Sequence, residues 1–115
     1  MPTPRNPSSE HRPLPVARAL RQNGGDLQTW RKLRGLTQQQ VADRAGVSRA
    51  TVGRLEGGEG TPSLESLLRV MRALGVLGAL HEALDPLASD IGRLRAGEAL
   101  PQRVRPRDLT RVRDE

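Results

Sequence analysis

The sequence has no cysteine, tyrosine or phenylalanine, and only one tryptophan. Without cysteine there is no disulfide, no thiolate nucleophile and no cysteine-based zinc site. With Trp30 as the sole aromatic residue, the stacking platforms that hold single-stranded nucleic acids are missing, and sequence-specific RNA recognition is disfavoured. Trp30 itself is expected in the core. No apolar run approaches the roughly 20 residues that cross a bilayer. The start "MPTPRNPSSEHRP" lacks the apolar stretch of a signal peptide, so the cytoplasm is the expected location and no membrane partner is expected.

Catalytic groups are equally sparse. His11 lies in the proline-rich start and His81 beside Glu82, with no second histidine or serine motif nearby. "GGEGTP" is glycine-rich but lacks the Gly-Lys-Ser/Thr ending of a phosphate-binding loop. No catalytic site, metal site or cofactor is expected, and the protein is read as not an enzyme.

What the chain has in excess is arginine: 18, against Lys32 alone, with a formal charge of +6 over 115 residues. A polyanion is the first partner class this suggests, although genome composition also enriches arginine. The length suits one domain with tails, and a core of about 60 to 80 residues is near the lower limit for independent folding.

Residues 1–13 hold four prolines and little to bury, which reads as a disordered leader. "LPVARALRQ" adds a helical turn or two before "NGG" breaks it. The pattern is then helical from Asp26 to about Leu84, without a convincing alternating strand. Asp26 is a fair N-cap for a first helix through Arg34, with Leu27 and Trp30 on one face and Gly35 closing it. Thr37 with Gln40 forms a capping box opening a second helix, whose inward residues are Val41, Ala42 and Ala45 and which stops at Gly46. Ser48 caps a third helix to about Glu56. A fourth starts at Thr61 or Ser63 and carries Leu64, Leu67, Leu68, Met71 and Leu74, and "GALHEAL" is a shorter fifth. After Asp85 and Pro86 the periodicity weakens.

The second and third helices are joined by a short glycine-containing corner, the pattern of a helix-turn-helix. Ala42 lets the helices approach, Gly46 makes the turn, Val47 plugs beneath it, and Val52 and Leu55 seat the third helix. A helical hairpin without a nucleic-acid role shares part of this pattern, so the outward face decides between them. At 100° per residue, Ser48, Thr51, Val52 and Leu55 cluster inward, while Arg49, Ala50, Gly53, Arg54 and Gly57 share the opposite arc. That arc has two guanidiniums and no carboxylate. Gly53 costs a helix interior roughly 1 kcal/mol relative to alanine, which close approach to a partner explains and simple tolerance also allows. Arg49 and Arg54 are the candidate base readers in a major groove, with Ala50 and Thr51 as contacts to a thymine methyl. Gln38, at the start of the second helix, is a candidate phosphate contact, or only part of a soluble helix start. Arg34 and Arg44 are phosphate neighbours or solvated charges.

"RKLRGLTQQQVADRAGVSRATVGRLEGG" followed by "PSLESLLRVMRALG" resembles the lambda-repressor-like (Xre) helix-turn-helix family over roughly Leu27 to Leu84. The resemblance implies a compact all-α, five-helix DNA-binding domain, and a pairing of Arg31 in the first helix with Glu56 at the end of the recognition helix. More narrowly, "LGALHEALDPLASDIGRLRAGEALPQRVR" looks like the C-terminal region of HipB-like antitoxins. That likeness implies a homodimer that represses its own operon and binds a HipA-like kinase toxin. "NGGDLQTW" departs from the family pattern by placing glycines at the first helix.

The domain reading is therefore 1–13 leader, 14–85 helix-turn-helix DNA-binding domain, and 86–115 extended C-terminal dimerisation or partner-binding tail. One recognition helix offers few base contacts, which independently argues for two half-sites on a double-stranded operator and for a homodimer. Leu77, Leu80, Leu84, Leu87 and Ile91 form the interface or cap the monomer core. "RVRPR" is an exchanged edge strand, a basic arm on DNA, a toxin-binding peptide, or disordered. A stand-alone phage-type or metabolic repressor, and a protein-interaction module with only electrostatic DNA binding, are the alternative functions.

Overall fold

The computed structural model describes residues 11–99 and is all-α over that range. The helices are α1 (Leu14–Leu33), α2 (Gln38–Ala45), α3 (Arg49–Glu56), α4 (Leu64–Leu74), α5 (Leu77–Leu84), a 3-10 turn at Pro86–Ala88, and α6 (Asp90–Ala99). The chain forms two compact units, divided between Leu77 and Gly78. The leader up to residue 10 and the stretch "LPQRVR" onward lie outside the described residues.

Local signals account for most helix ends in the first unit. Thr37 Oγ1 accepts from the Gln40 amide at 3.1 Å while Gln40 Oε1 accepts from the Thr37 amide at 2.9 Å, satisfying two free donors at the start of α2. Gly46 closes α2 at φ +72°, a left-handed conformation that glycine adopts without penalty, and its N–H returns to the Ala42 carbonyl. Only one residue separates that glycine from the next cap, Ser48, whose hydroxyl accepts from the Thr51 amide at 3.1 Å. The corner between α2 and α3 is thus built from a glycine stop and a serine start. Ser63 caps α4 in the same way.

The core lies where these helices cross. Leu27, Val41, Ala42, Ala45, Val52, Val70 and Leu74 are buried, with Leu36, Val47, Leu55, Leu67 and Met71 packed against them. Alanines at 42 and 45 leave room for α3 and α4 to approach α2, and α1 packs on both α3 and α4. Full burial of a side chain such as Leu74 contributes about 1.5–3 kcal/mol. Val70, outside the apolar pattern expected on α4, is buried. Leu64, part of that pattern, stands 69% exposed.

Three features differ from the sequence expectation. α1 does not break at "NGG" but runs unbroken from Leu14 to Leu33. The reason is tertiary: Gly24 is buried, and a Cβ there would overlap the Leu55 carbonyl oxygen and lie 2.8 Å from that of Glu56. The glycine that weakens a free helix is what lets this one lie against the end of α3. Trp30 is 40% exposed instead of sitting in the core. Gly24, Leu27 and Arg31 define the inward arc of α1, and Trp30 lies about 90° around the helix from its centre. The Arg34 guanidinium stacks on the ring, 5.2 Å from its centroid. Finally, the described residues form six α-helices and not five, because the chain after Asp85 continues as α6.

The second unit is short and carries no buried residue in its helices. Asp85 Oδ1 accepts from the Leu87 amide at 2.9 Å, Ser89 Oγ accepts from the Gly92 amide at 3.0 Å, and Arg93 reaches back to the Leu87 carbonyl at 2.8 Å. These local bonds turn the chain into α6. Leu84, Ile91 and Leu94 remain exposed. No helix among the described residues is long and apolar enough to cross a membrane.

Candidate nucleic-acid interface

The exposed arc of α3 is held in place from behind by a carboxylate. Glu56, the last residue of α3, turns its side chain away from the arc and toward α1, where Arg31 donates from Nε to Oε2 at 2.6 Å and from Nη2 to Oε1 at 3.1 Å. Both side chains are largely buried, 12% and 6% exposed. Arg31 also donates from Nη1 to the Leu36 carbonyl at 3.0 Å, so the same guanidinium ties the α1–α2 connection to the end of α3. Hydrogen bonding to Glu56 raises the Arg31 pKa above its already high ordinary value, against the burial that lowers it.

Gln38 extends this pair into a chain. Its Nε2 donates to Glu56 Oε1 at 3.0 Å, and its Oε1 accepts from Arg49 Nη1 at 3.3 Å. The two ends of one amide thus separate the carboxylate from the guanidinium. A line of hydrogen bonds runs from Arg31 on α1 through Glu56 and Gln38 to Arg49 on the outer face of α3. The practical result is that the one carboxylate on α3 is neutralised internally, and Arg49 is oriented before any ligand arrives.

The remaining candidates fall into distinct places. Ala50 and Arg54 are exposed alongside Arg49, and Gly53 lies between them, with a Cβ there meeting only Gln38 Oε1 at 4.0 Å. Nothing among the described residues therefore requires glycine at 53. Thr51 is half-buried, and its hydroxyl lies 2.9 Å from that of Ser48 at the helix cap. Val52 is buried, and Ala42, Val47 and Leu55 pack around the corner as their size and spacing require. Arg44 is exposed on the last turn of α2. Arg34, by sequence a phosphate neighbour or a solvated charge, is exposed; its Nε donates to the Leu74 carbonyl at 3.0 Å and its guanidinium covers Trp30. Sequence reasoning missed the Gln38–Glu56 and Gln38–Arg49 bonds, because they join residues 18 and 11 positions apart on two different helices.

This arrangement defines a helix-turn-helix with an arginine-bearing, acid-free outer face. Residues 27–77 match the family model described as helix-turn-helix, and the match ends where the first compact unit ends. A 45-residue stretch is 51% identical to an uncharacterized HTH-type transcriptional regulator of Methanothermobacter thermautotrophicus, covering 39% of this chain and 65% of that protein. The chain thus spans just under two thirds of that relative's length. No solved structure matches the chain.

Proposed function

We propose that this protein is a sequence-specific DNA-binding transcription regulator, acting as a repressor, with α3 as its recognition helix. The observation that carries the reading is the outer face of α3: Arg49, Ala50, Gly53 and Arg54 present guanidiniums and small residues, while the helix's only carboxylate is withdrawn into the pair with Arg31. Arginine donates two hydrogen bonds to guanine in the major groove, worth about 1–3 kcal/mol of discrimination for a good pair. Ala50 and Thr51 supply apolar contact to thymine methyls. Gln38 and Arg44 contact phosphates, and Gln38 sits at the α2 N-terminus, where free amides favour an anion. Arg34 is a further phosphate contact, through the guanidinium N–H groups that its bond to the Leu74 carbonyl leaves free. The relative's name as a transcriptional regulator supports the same class.

Within that class, the C-terminal likeness to HipB-like antitoxins favours a homodimer that represses its own operon and binds a HipA-like kinase toxin. The exposed Leu84, Ile91 and Leu94 supply apolar surface for such contacts. The test is binding to the duplex upstream of the protein's own gene against a shuffled duplex at physiological salt, where specific sites win by at least about a thousandfold. Equal, weak binding to both duplexes, falling alike with salt, favours an interaction module instead. Co-purification with the product of an adjacent kinase gene, or the absence of such a gene, separates the antitoxin from a stand-alone repressor.

A further inference from the structure

We propose that the N-terminal half of α1 is a second DNA-binding surface, on which Arg18 and Arg21, with Arg12 beside them, hold the sugar-phosphate backbone flanking the bases read by α3. The inference rests on the DNA-binding reading above and extends its footprint.

The first observation is charge. Between His11 and Gly25 the chain carries Arg12, Arg18 and Arg21 and no aspartate or glutamate, and the first turn of α1 has no acidic residue. Arg18 and Arg21 are three residues apart on a helix and therefore neighbours on its surface, and both are exposed. The ion pairs among the described residues join Arg31 to Glu56, Arg69 to Glu65 and Arg93 to Asp90, so none of them draws on these three arginines.

The second observation is where this basic stretch is fastened. At Gly24 the α1 backbone lies against the Leu55 and Glu56 carbonyls and within 3.0 Å of the Gly58 amide nitrogen, measured from the Cβ position. A Cβ at Gly58 would sit 2.9 Å from the Arg21 Cα, and one at Gly60 would sit 2.7 Å from Arg12 Nη2 and 3.6 Å from Leu20 Cδ1. Glycines at 24 and 58, which face backbone atoms, thus let the N-terminal half of α1 close onto the end of α3 and the loop after it. The arginine-bearing stretch is thereby fastened at the C-terminal end of α3, the helix whose outer face carries Arg49 and Arg54.

Basic side chains so placed contact phosphates and fix register without reading bases. Glu59, in the loop after α3, carries a carboxylate whose Oε2 lies 4.0 Å from the Cβ position at Gly57. Leu14 and Val16 are also exposed on the same stretch, so an acidic protein ligand is the rival occupant that the experiment must separate.

The experiment measures binding of the full chain to the duplex upstream of its gene and to a shuffled duplex over a range of salt concentrations. Arg18→Ala/Arg21→Ala is expected to reduce the slope of log affinity against log salt by roughly 1.8, at about 0.9 per lost phosphate contact. Both duplexes weaken by the same factor, so the preference between them stays. Arg18→Lys/Arg21→Lys restores the slope, which a folding defect in the alanine variant would not predict. An unchanged slope in the alanine variant, with discrimination intact in the wild type, overturns this proposal alone. If the wild type shows no salt-dependent binding to either duplex, the DNA-binding reading fails and this inference with it.

Discussion

Glu56 accepts hydrogen bonds from Arg31 through both carboxylate oxygens, at 2.6 and 3.1 Å, and so joins the first helix of the domain to the last residue of the third. Removing one partner leaves a charge largely buried without its counterion, which is more damaging than never having placed the pair there. Glu56→Ala is therefore expected to destabilise the fold by about 3–5 kcal/mol, and Arg31→Ala by a similar amount. In a double-mutant cycle monitored by chemical denaturation, the combined variant should lose less than the sum of the two. Additive losses would show that the pair is not coupled.

The same pair sets a pH expectation. A raised Arg31 pKa means that its contribution is fully present below the ordinary arginine value and is lost only as pH rises through the higher folded value. Thermal midpoints measured from neutral to mildly alkaline pH should accordingly show no transition attributable to Arg31.

Adjacent glycines in α1 should respond to alanine in opposite directions. Gly24→Ala places a methyl against the carbonyls of Leu55 and Glu56 and should cost about 1–3 kcal/mol. Gly25→Ala meets nothing within 4 Å and should stabilise the helix by up to about 1 kcal/mol. Denaturation midpoints of the two variants, side by side, check the claim that α1 is continuous because it packs on α3.

Gly53 separates stability from binding. An alanine there has space within the protein, so Gly53→Ala should leave stability equal or raise it by up to about 1 kcal/mol. Its added methyl stands on the proposed DNA face, and affinity for the preferred duplex should fall. A variant that is more stable and binds as well as wild type would remove Gly53 from the interface.

Arg49→Ala and Arg54→Ala should each reduce the preference for the operator over a shuffled duplex by about 1–3 kcal/mol. Gln38→Ala should act partly through Arg49, because it removes the acceptor that orients that guanidinium. The two effects should therefore be less than additive in a binding cycle between Gln38 and Arg49.

Much of this was legible in the sequence where the determinants are local. Thr37 with Gln40, Gly46, Ser48 and Ser63 act on backbone groups three or four residues away, so their types and spacing mark the starts of α2, α3 and α4 and the end of α2. The apolar spacing in α2 and α3 named Val41, Ala42, Ala45 and Val52 as inward, because a helix has one period and a core takes one face. The acid-poor arc of α3 follows from the same periodicity. α6 was missed because the amphipathic pattern is weak there, and its entry depends on a short turn built by Asp85, Pro86 and Ser89.

What the sequence alone determined about this protein is a run of short helices, the corner at Gly46 and the chemistry of the α3 face, since each depends on neighbours within a turn or two. Only the tertiary structure decided that Gly24 sits inside a continuous helix, that Trp30 lies at the surface under Arg34, and that Gln38 bridges Glu56 to Arg49. Those outcomes depend on which faces of separate helices meet, and packing outweighs the modest local penalties of a glycine or an exposed ring.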